Sequence, residues 1–183
     1  MYQHIAFNQL EPPCIAEFIT SRYHAQLRSL GPILSNQLNK LREKDSSFKQ
    51  ELTAISGLFQ RLMDDLSSHM RKEEFVLFPY IKERSREQAD FVQSMPLLNS
   101  VLQQMRREHR QFTDTMSQIR RLSNNFTPSE DSCTQTRLCL AVLNEFESDL
   151  LDNIYLENNI LFPKLVEMEQ DLSLQTQSAS QHD

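Results

Sequence analysis

The sequence predicts an all-α protein, an antiparallel four-helix bundle, and three observations carry that expectation. The 183 residues include only 2 Gly and 7 Pro and no Trp, with abundant Leu, Gln, Glu and Arg, a composition that favours helices. Apolar residues return in steps of three and four along four long segments, which is the spacing of one inward stripe per helix. The chain also repeats itself: HMRKEEFVLFP at 69–79 is answered by NIYLENNILFP at 153–163, and YHAQL around His24 by EHRQF around His109. A duplicated helical hairpin accounts for such spacing. Two hairpins supply four helices around one core, and the chain is long enough to bury it as one domain.

The elements follow in order. Residues 1–12 read as an N-terminal arm. A first helix is expected over about 13–43, with His24, Leu27, Gly31, Leu34, Leu38 and Leu41 facing inward and Gly31-Pro32 disturbing its hydrogen bonding. KDSS at 44–47 offers a turn and a serine cap for a second helix over about 47–84, whose stripe reads Ile55, Phe59, Leu62, Leu66, His69, Glu73, Val76 and Tyr80. The third, about 91–124, carries Leu98, Leu102, Met105, His109, Phe112, Met116 and Ile119, with Pro96 tolerated in its first turns. SNNFTPSEDS is the longest loop, and Thr127, Pro128 and Glu130 mark the start of a fourth helix over about 129–170. Its stripe is Cys139, Leu143, Phe146, Leu150, Asn153, Glu157, Ile160 and Lys164. The bundle therefore covers 13–170, and the polar, aperiodic tail at 171–183 is expected to be disordered.

Composition excludes several function classes. A formal charge of -6 and a pI near 5.4 oppose a nucleic-acid role, because neutralising phosphates needs a basic face. The Arg pairs at 106–107 and 120–121 read instead as solvated surface. No apolar run approaches the roughly 20 residues that span a bilayer, and the first residues lack the pattern of a secretory signal. The expected location is the cytoplasm. Cys14, Cys133 and Cys139 are an odd number with no disulfide framework and read as small buried or half-buried thiols.

The chemistry lies at one level of the bundle. Two buried carboxylates cost several kcal/mol each unless paired, protonated or bound to a cation, and the nearby Arg71, Lys72 and Lys164 fall mostly off the inward stripe. A His and a Glu four residues apart project from one helix face one turn apart. Imidazole can then hold one ion while the carboxylate reaches a second, a donor set suited to iron, manganese or zinc. A single inward His is ordinarily a hydrogen-bonded core residue. Three of them with two inward Glu, at duplicated positions, are not independent coincidences. His24, His69, Glu73, His109 and Glu157 are accordingly the candidate metal ligands, while His4 and His182 read as solvated and Glu74 as a surface charge. No catalytic group is assigned, and enzymatic activity is left undecided.

Over roughly residues 15–168 the chain resembles the hemerythrin-like di-iron domain of the repair of iron centres family. The resemblance rests on IAEFITSRYHAQLRSL, HMRKEEFVLFPYI, REHRQF and SCTQTRLCLAVLNEFESDLLDNIYLENNILFPKL. It implies a dinuclear, oxo- or hydroxo-bridged iron centre, with manganese or zinc as substitutes. His24, His69 and His109 match three histidine ligands, and Glu73 and Glu157 match the bridging carboxylates. The fourth histidine belongs four residues before Glu157, where this chain has Asn153. Asparagine offers only a neutral amide oxygen, so one metal position is expected to be under-liganded. Asp149 is a replacement candidate, and Tyr155 points elsewhere around the helix. The N-terminal cysteine-pair module of longer members has no counterpart in the arm, and the start of the first helix carries Cys14 alone. The implied function is holding labile iron for repair of iron-sulfur clusters after nitrosative or oxidative stress, with iron-sulfur proteins or their apo forms as acceptors. Two other readings stay open: an oxygen or nitric oxide binding or sensing module, and a divergent relative with a mononuclear or degraded site.

Overall fold

A computed structural model describes residues 7–44, 49–85 and 95–179. Most of the KDSS turn, the expected start of the third helix at 91–94, His4 and His182 lie outside those residues. After a short 3-10 turn at Phe7–Gln9, helix α1 covers 12–44 and helix α2 covers 49–84. Helix α3 spans Met95–Leu122, and helix α4 covers 134–179. No strand occurs among the described residues. Each helix packs against the next along the chain, and α1 also packs against α4, which closes the ring of a four-helix bundle.

The core divides into two apolar halves. One is built from residues such as Leu27, Leu38, Phe59, Leu66, Phe112, Phe146 and Leu150. The other is built from Ile15, Ile19, Leu77, Ile81, Leu102, Leu161 and Phe162. Every helix passes from one half to the other through a polar residue: His24 on α1, His69 and Glu73 on α2, His109 on α3, Asn153 and Glu157 on α4. All six are buried.

Three helices change pitch at that crossing. α1 has a π-helical turn at Ile19–His24, α2 at Glu73–Leu77 and α4 at Glu157–Leu161. The repeated Leu-Phe-Pro explains the last two. Pro79 and Pro163 cannot donate a backbone hydrogen bond, and the preceding Phe78 and Phe162 reach back five residues to the carbonyls of Glu73 and Glu157. One extra residue per turn advances the register by one. The regular period predicts Val76, Tyr80, Ile160 and Lys164 inside. Instead Leu77, Ile81, Leu161 and Leu165 fill the core, and Val76 is 59% exposed. In α1 the same insertion separates the buried Ile19 and His24 by five positions. α3 has no such turn, and its predicted stripe is buried from Leu98 to Ile119.

The helix ends differ from expectation for local reasons. α4 begins at Thr134 rather than near 129, and the Arg137 guanidinium donates to the carbonyls of Ser129, Glu130 and Ser132 and holds them in a turn before it. Asn124, Asn125 and Phe126 all have left-handed φ, a strained conformation for Phe126. Burial, a hydrogen bond from its N–H to Ser123 Oγ and the Arg120 guanidinium over its ring offset that strain. The backbone of α4 stays helical to Ala179, past the boundary at 170, since elongating an anchored helix of good formers is easier than starting one. α1 runs through Gly31-Pro32 as α-helix. Gly31 is small for a reason, because a Cβ there would sit 2.2 Å from the end of Met63.

Two cysteines depart from the expectation: Cys14 and Cys133 are exposed, and only Cys139 is buried, where burial pushes its thiol up to about 11. The Arg pairs are also more than solvated surface. Arg106 stacks over Phe162, and Arg120 pairs with the buried Glu147.

Candidate metal centre

The polar layer brings the predicted residues to one place. His69, Glu73, His109 and Glu157 each offer a donor atom within 4.8 Å of the others. His69 Nε2 lies 3.3 Å from Glu73 Oε1, and His109 Nε2 lies 2.9 Å from Glu157 Oε2. The two Nε2 atoms are 2.9 Å apart. His24 stands on the other side of the same carboxylates, with Nε2 3.3 Å from Glu73 Oε2 and 4.0 Å from Glu157 Oε1. Asn153 is on that side too, its Nδ2 donating to Glu157 Oε1 at 2.7 Å. Each carboxylate thus turns one oxygen toward His69 and His109 and the other toward His24 and Asn153. The α-helical spacing of four produces this directly, by stacking His69 over Glu73 and Asn153 over Glu157.

The other ring nitrogen of each histidine is held from outside. His24 Nδ1 is 2.7 Å from Glu74, His69 Nδ1 is 2.7 Å from Glu108, and His109 Nδ1 is 3.0 Å from Asn158 Oδ1. A carboxylate or carbonyl oxygen can only accept, so it draws the ring proton to Nδ1 and leaves the Nε2 lone pair facing inward. Glu74 is a correction to the sequence reading. The turn of the helix does carry it off the core stripe, but onto α1, where His24 and Arg28 hold it. Glu108 is anchored by Lys72 and Gln104. Glu108 and Asn158 escaped the sequence reading, although each stands next to a predicted ligand residue, His109 and Glu157. Asp149 pairs with Arg22 at 2.8 Å instead of joining the cluster, and Tyr155 is exposed.

The layer is built for positive charge. Among the described residues, five buried side-chain atoms lack a well-formed hydrogen bond: His24 Nε2, both Glu73 oxygens, Asn153 Oδ1 and Glu157 Oε2. Orphans of this kind are rare, and here all belong to one layer. Burial depresses the proton affinity of His69, but the Glu73 charge and the hydrogen bond to Glu108 overcome it and carry the pKa up to about 10. His24 rises in the same way, against burial and through Glu73. Burial pushes Glu73 up, yet the His69 charge and the close approach of both imidazoles hold it well below the ordinary carboxylate range. Glu157 is raised by burial and by the Glu73 charge. Protons and a metal cation therefore compete for one place.

That competition has a sign. A raised His69 pKa adds stability that is complete below its unfolded value of 6.5 and lost as pH rises through about 10. Metal needs the same nitrogen unprotonated. Thermal scans should show the metal-free protein losing stability between pH 6.5 and 10 while the gain on adding Mn(II) grows over the same window. A gain that shrinks with rising pH would remove His69 from the ligand set. The outer partners can be checked separately. Glu108, held at about 2 first by its hydrogen bond to His69, fixes that ring. Glu108→Gln should therefore weaken metal binding by about 10 to 100-fold, as outer-shell losses typically do. An unchanged Kd by competition titration would reduce Glu108 to a surface ion pair.

Comparison with known proteins agrees with this geometry. The family described as Hemerythrin HHE cation binding domain matches residues 19–165. Proteins named iron-sulfur cluster repair protein YtfE from Escherichia coli O157:H7, Escherichia coli O139:H28 (strain E24377A / ETEC) and Shigella boydii serotype 18 (strain CDC 3083-94 / BS512) are each 33% identical over 150 residues. That stretch is 82% of this chain and 64% of those relatives, so the chain spans about two thirds of their length at most. Among the described residues no helix is long and apolar enough to cross a membrane.

Proposed function

The chain belongs to the hemerythrin family of HHE cation-binding domains, and from that premise we propose that it is a cytoplasmic non-haem di-iron protein that holds labile iron for the repair of iron-sulfur clusters. His69 and His109 would hold one ion, His24 the other, and Glu73 and Glu157 would bridge them. The observation that carries this reading is the sharing of both buried carboxylates between two sides of one layer, with orphaned oxygens and imidazole nitrogens facing inward. Two neighbouring cations with oxygen bridges match that arrangement, and manganese or zinc would fit the same donors. The repair role is carried over from the iron-sulfur cluster repair relatives, and the acceptors proposed for it are iron-sulfur apo-proteins.

Bound iron would supply an exchangeable cation to an acceptor protein. The chain's own part is to tie each Nδ1–H outward, present each Nε2 inward and wall the layer with Phe78 and Phe162, which stack on His24 and His109. The test is metal analysis of protein purified without added metal, an optical spectrum for an oxo-bridged di-ferric centre, and transfer of labelled iron to an apo-ferredoxin. Iron bound and transferred supports the reading. A protein that binds iron but never yields it to the acceptor refutes the repair role, and one that binds no divalent metal refutes the centre.

A further inference from the structure

The two sides of the layer treat Glu157 differently. On one side the carboxylate's Oε2 faces His109 Nε2 at 2.9 Å, a ring nitrogen that a cation can take over. On the other, Asn153 donates an N–H to Oε1 at 2.7 Å. We propose that Asn153 is a lock on the second metal position: its amide hydrogen bond occupies the Glu157 lone pair that a divalent cation beside His24 would use. One ion is then held firmly between His69 and His109, and the second loads only by displacing the amide. This rests on the proposed metal centre and specifies which of its ions is the labile one.

The orientation of the amide follows from its surroundings. Asn153 is 1% exposed, and its Oδ1 has no partner. Turning the amide over would set two acceptor oxygens against each other at hydrogen-bond distance, so the contact to Glu157 decides which end faces it. The duplicated position shows the contrast. His69 sits over Glu73 as Asn153 sits over Glu157, but Glu108 holds its Nδ1–H outward, so its Nε2 faces the interior, where a cation can replace the proton on it. An imidazole so held adds to the field that attracts a cation. An amide N–H replaces part of the cation's role, because a charge-assisted hydrogen bond satisfies the carboxylate without metal. The counterpart of Glu108 one repeat earlier, the residue before His24, is Tyr23, so the repeat puts no carboxylate at the place that would match Glu108 for position 153.

The lock makes a prediction opposite to that of an amide ligand. Removing the donor leaves Glu157 less well satisfied in the singly loaded protein, so affinity for the second cation should rise. The metal-free protein is titrated anaerobically with Co(II), followed by visible absorption, and in parallel with Fe(II). The wild type should take up one equivalent tightly and a second weakly, and Asn153→Ala should bind the second about 10-fold more tightly, as expected for loss of one hydrogen bond to a charged group. A weaker or unchanged second affinity overturns the lock. Equal affinity at both positions of the wild type also overturns it, while leaving the metal centre standing; no binding at all defeats the centre itself. Because the alanine variant opens a buried space, the wild type is tested independently with Zn(II) by 15N NMR. The Asn153 side-chain amide protons should stay protected through the first equivalent and change with the second. A change completed at the first equivalent contradicts the proposal.

Discussion

Glu73→Gln should abolish tight metal binding and destabilise the metal-free protein as well. Glu73 is 0% exposed and turns one oxygen to His69 and the other to His24, each at 3.3 Å. The amide keeps the shape but loses the charge and one acceptor, so both metal positions lose an anionic donor at once. Loss of an outer-shell partner already costs 10 to 100-fold in affinity, and a shared direct donor should cost at least the upper end of that range. In the metal-free state the substitution leaves His24 and His69 without the charge that raises their pKa values. Breaking a buried pair from one side typically costs about 3–5 kcal/mol. The metal-free variant should therefore unfold at markedly lower denaturant near neutral pH, and part of the loss should disappear at high pH, where the histidines are neutral in both proteins. A variant that keeps wild-type metal affinity would mean that the bridging assignment is wrong.

Asn153→His should have the largest effect in the opposite direction. The residue is buried in register with Glu157, and histidine is close enough in size for the surrounding core to adapt. The imidazole removes the amide donor from Glu157 and adds a nitrogen donor to the side that now has only His24. Binding of the second ion should tighten by about 10 to 100-fold or more. Stability should follow by linkage, because metal at 100 times Kd adds about 2.7 kcal/mol to the native state. The measurement is a paired titration and thermal scan with iron present. If the variant folds but holds the second ion no better, position 153 is not a ligand position. The contrast with Asn153→Ala is informative: alanine only removes the donor, whereas histidine also replaces it.

The remaining differences between sequence and structure share a cause. The periodic stripes place His24, His69, His109, Glu73 and Glu157 inward, and the structure puts all five in one buried layer. Beyond Glu73 and Glu157 the same period fails, because it assumes 3.6 residues per turn through the π-helical turns. The signal was present in Leu-Phe-Pro, where a proline removes a backbone donor, but proline alone does not distinguish a π turn from a kink. Glu74 shows the other limit. A side chain turned off the stripe of its own helix reads as surface until the neighbouring helix is known, and here that neighbour brings His24 against it.

The sequence by itself determined the helical class, the internal repeat, the five inward ligand candidates and an asparagine at 153 where the repeat has His69. These depend on residue type and spacing within a helix, where geometry is local and repeats every turn. Only the tertiary structure decided which carboxylate oxygen faces which histidine, that Glu74, Glu108 and Asn158 hold the rings, and that Asn153 donates to Glu157. Apart from His69 with Glu73 and Asn153 with Glu157, each one turn apart on a single helix, those contacts join different helices. Even the Asn153 contact takes its direction from the interior that surrounds it, because spacing brings two side chains together but their packed environment decides which atoms meet.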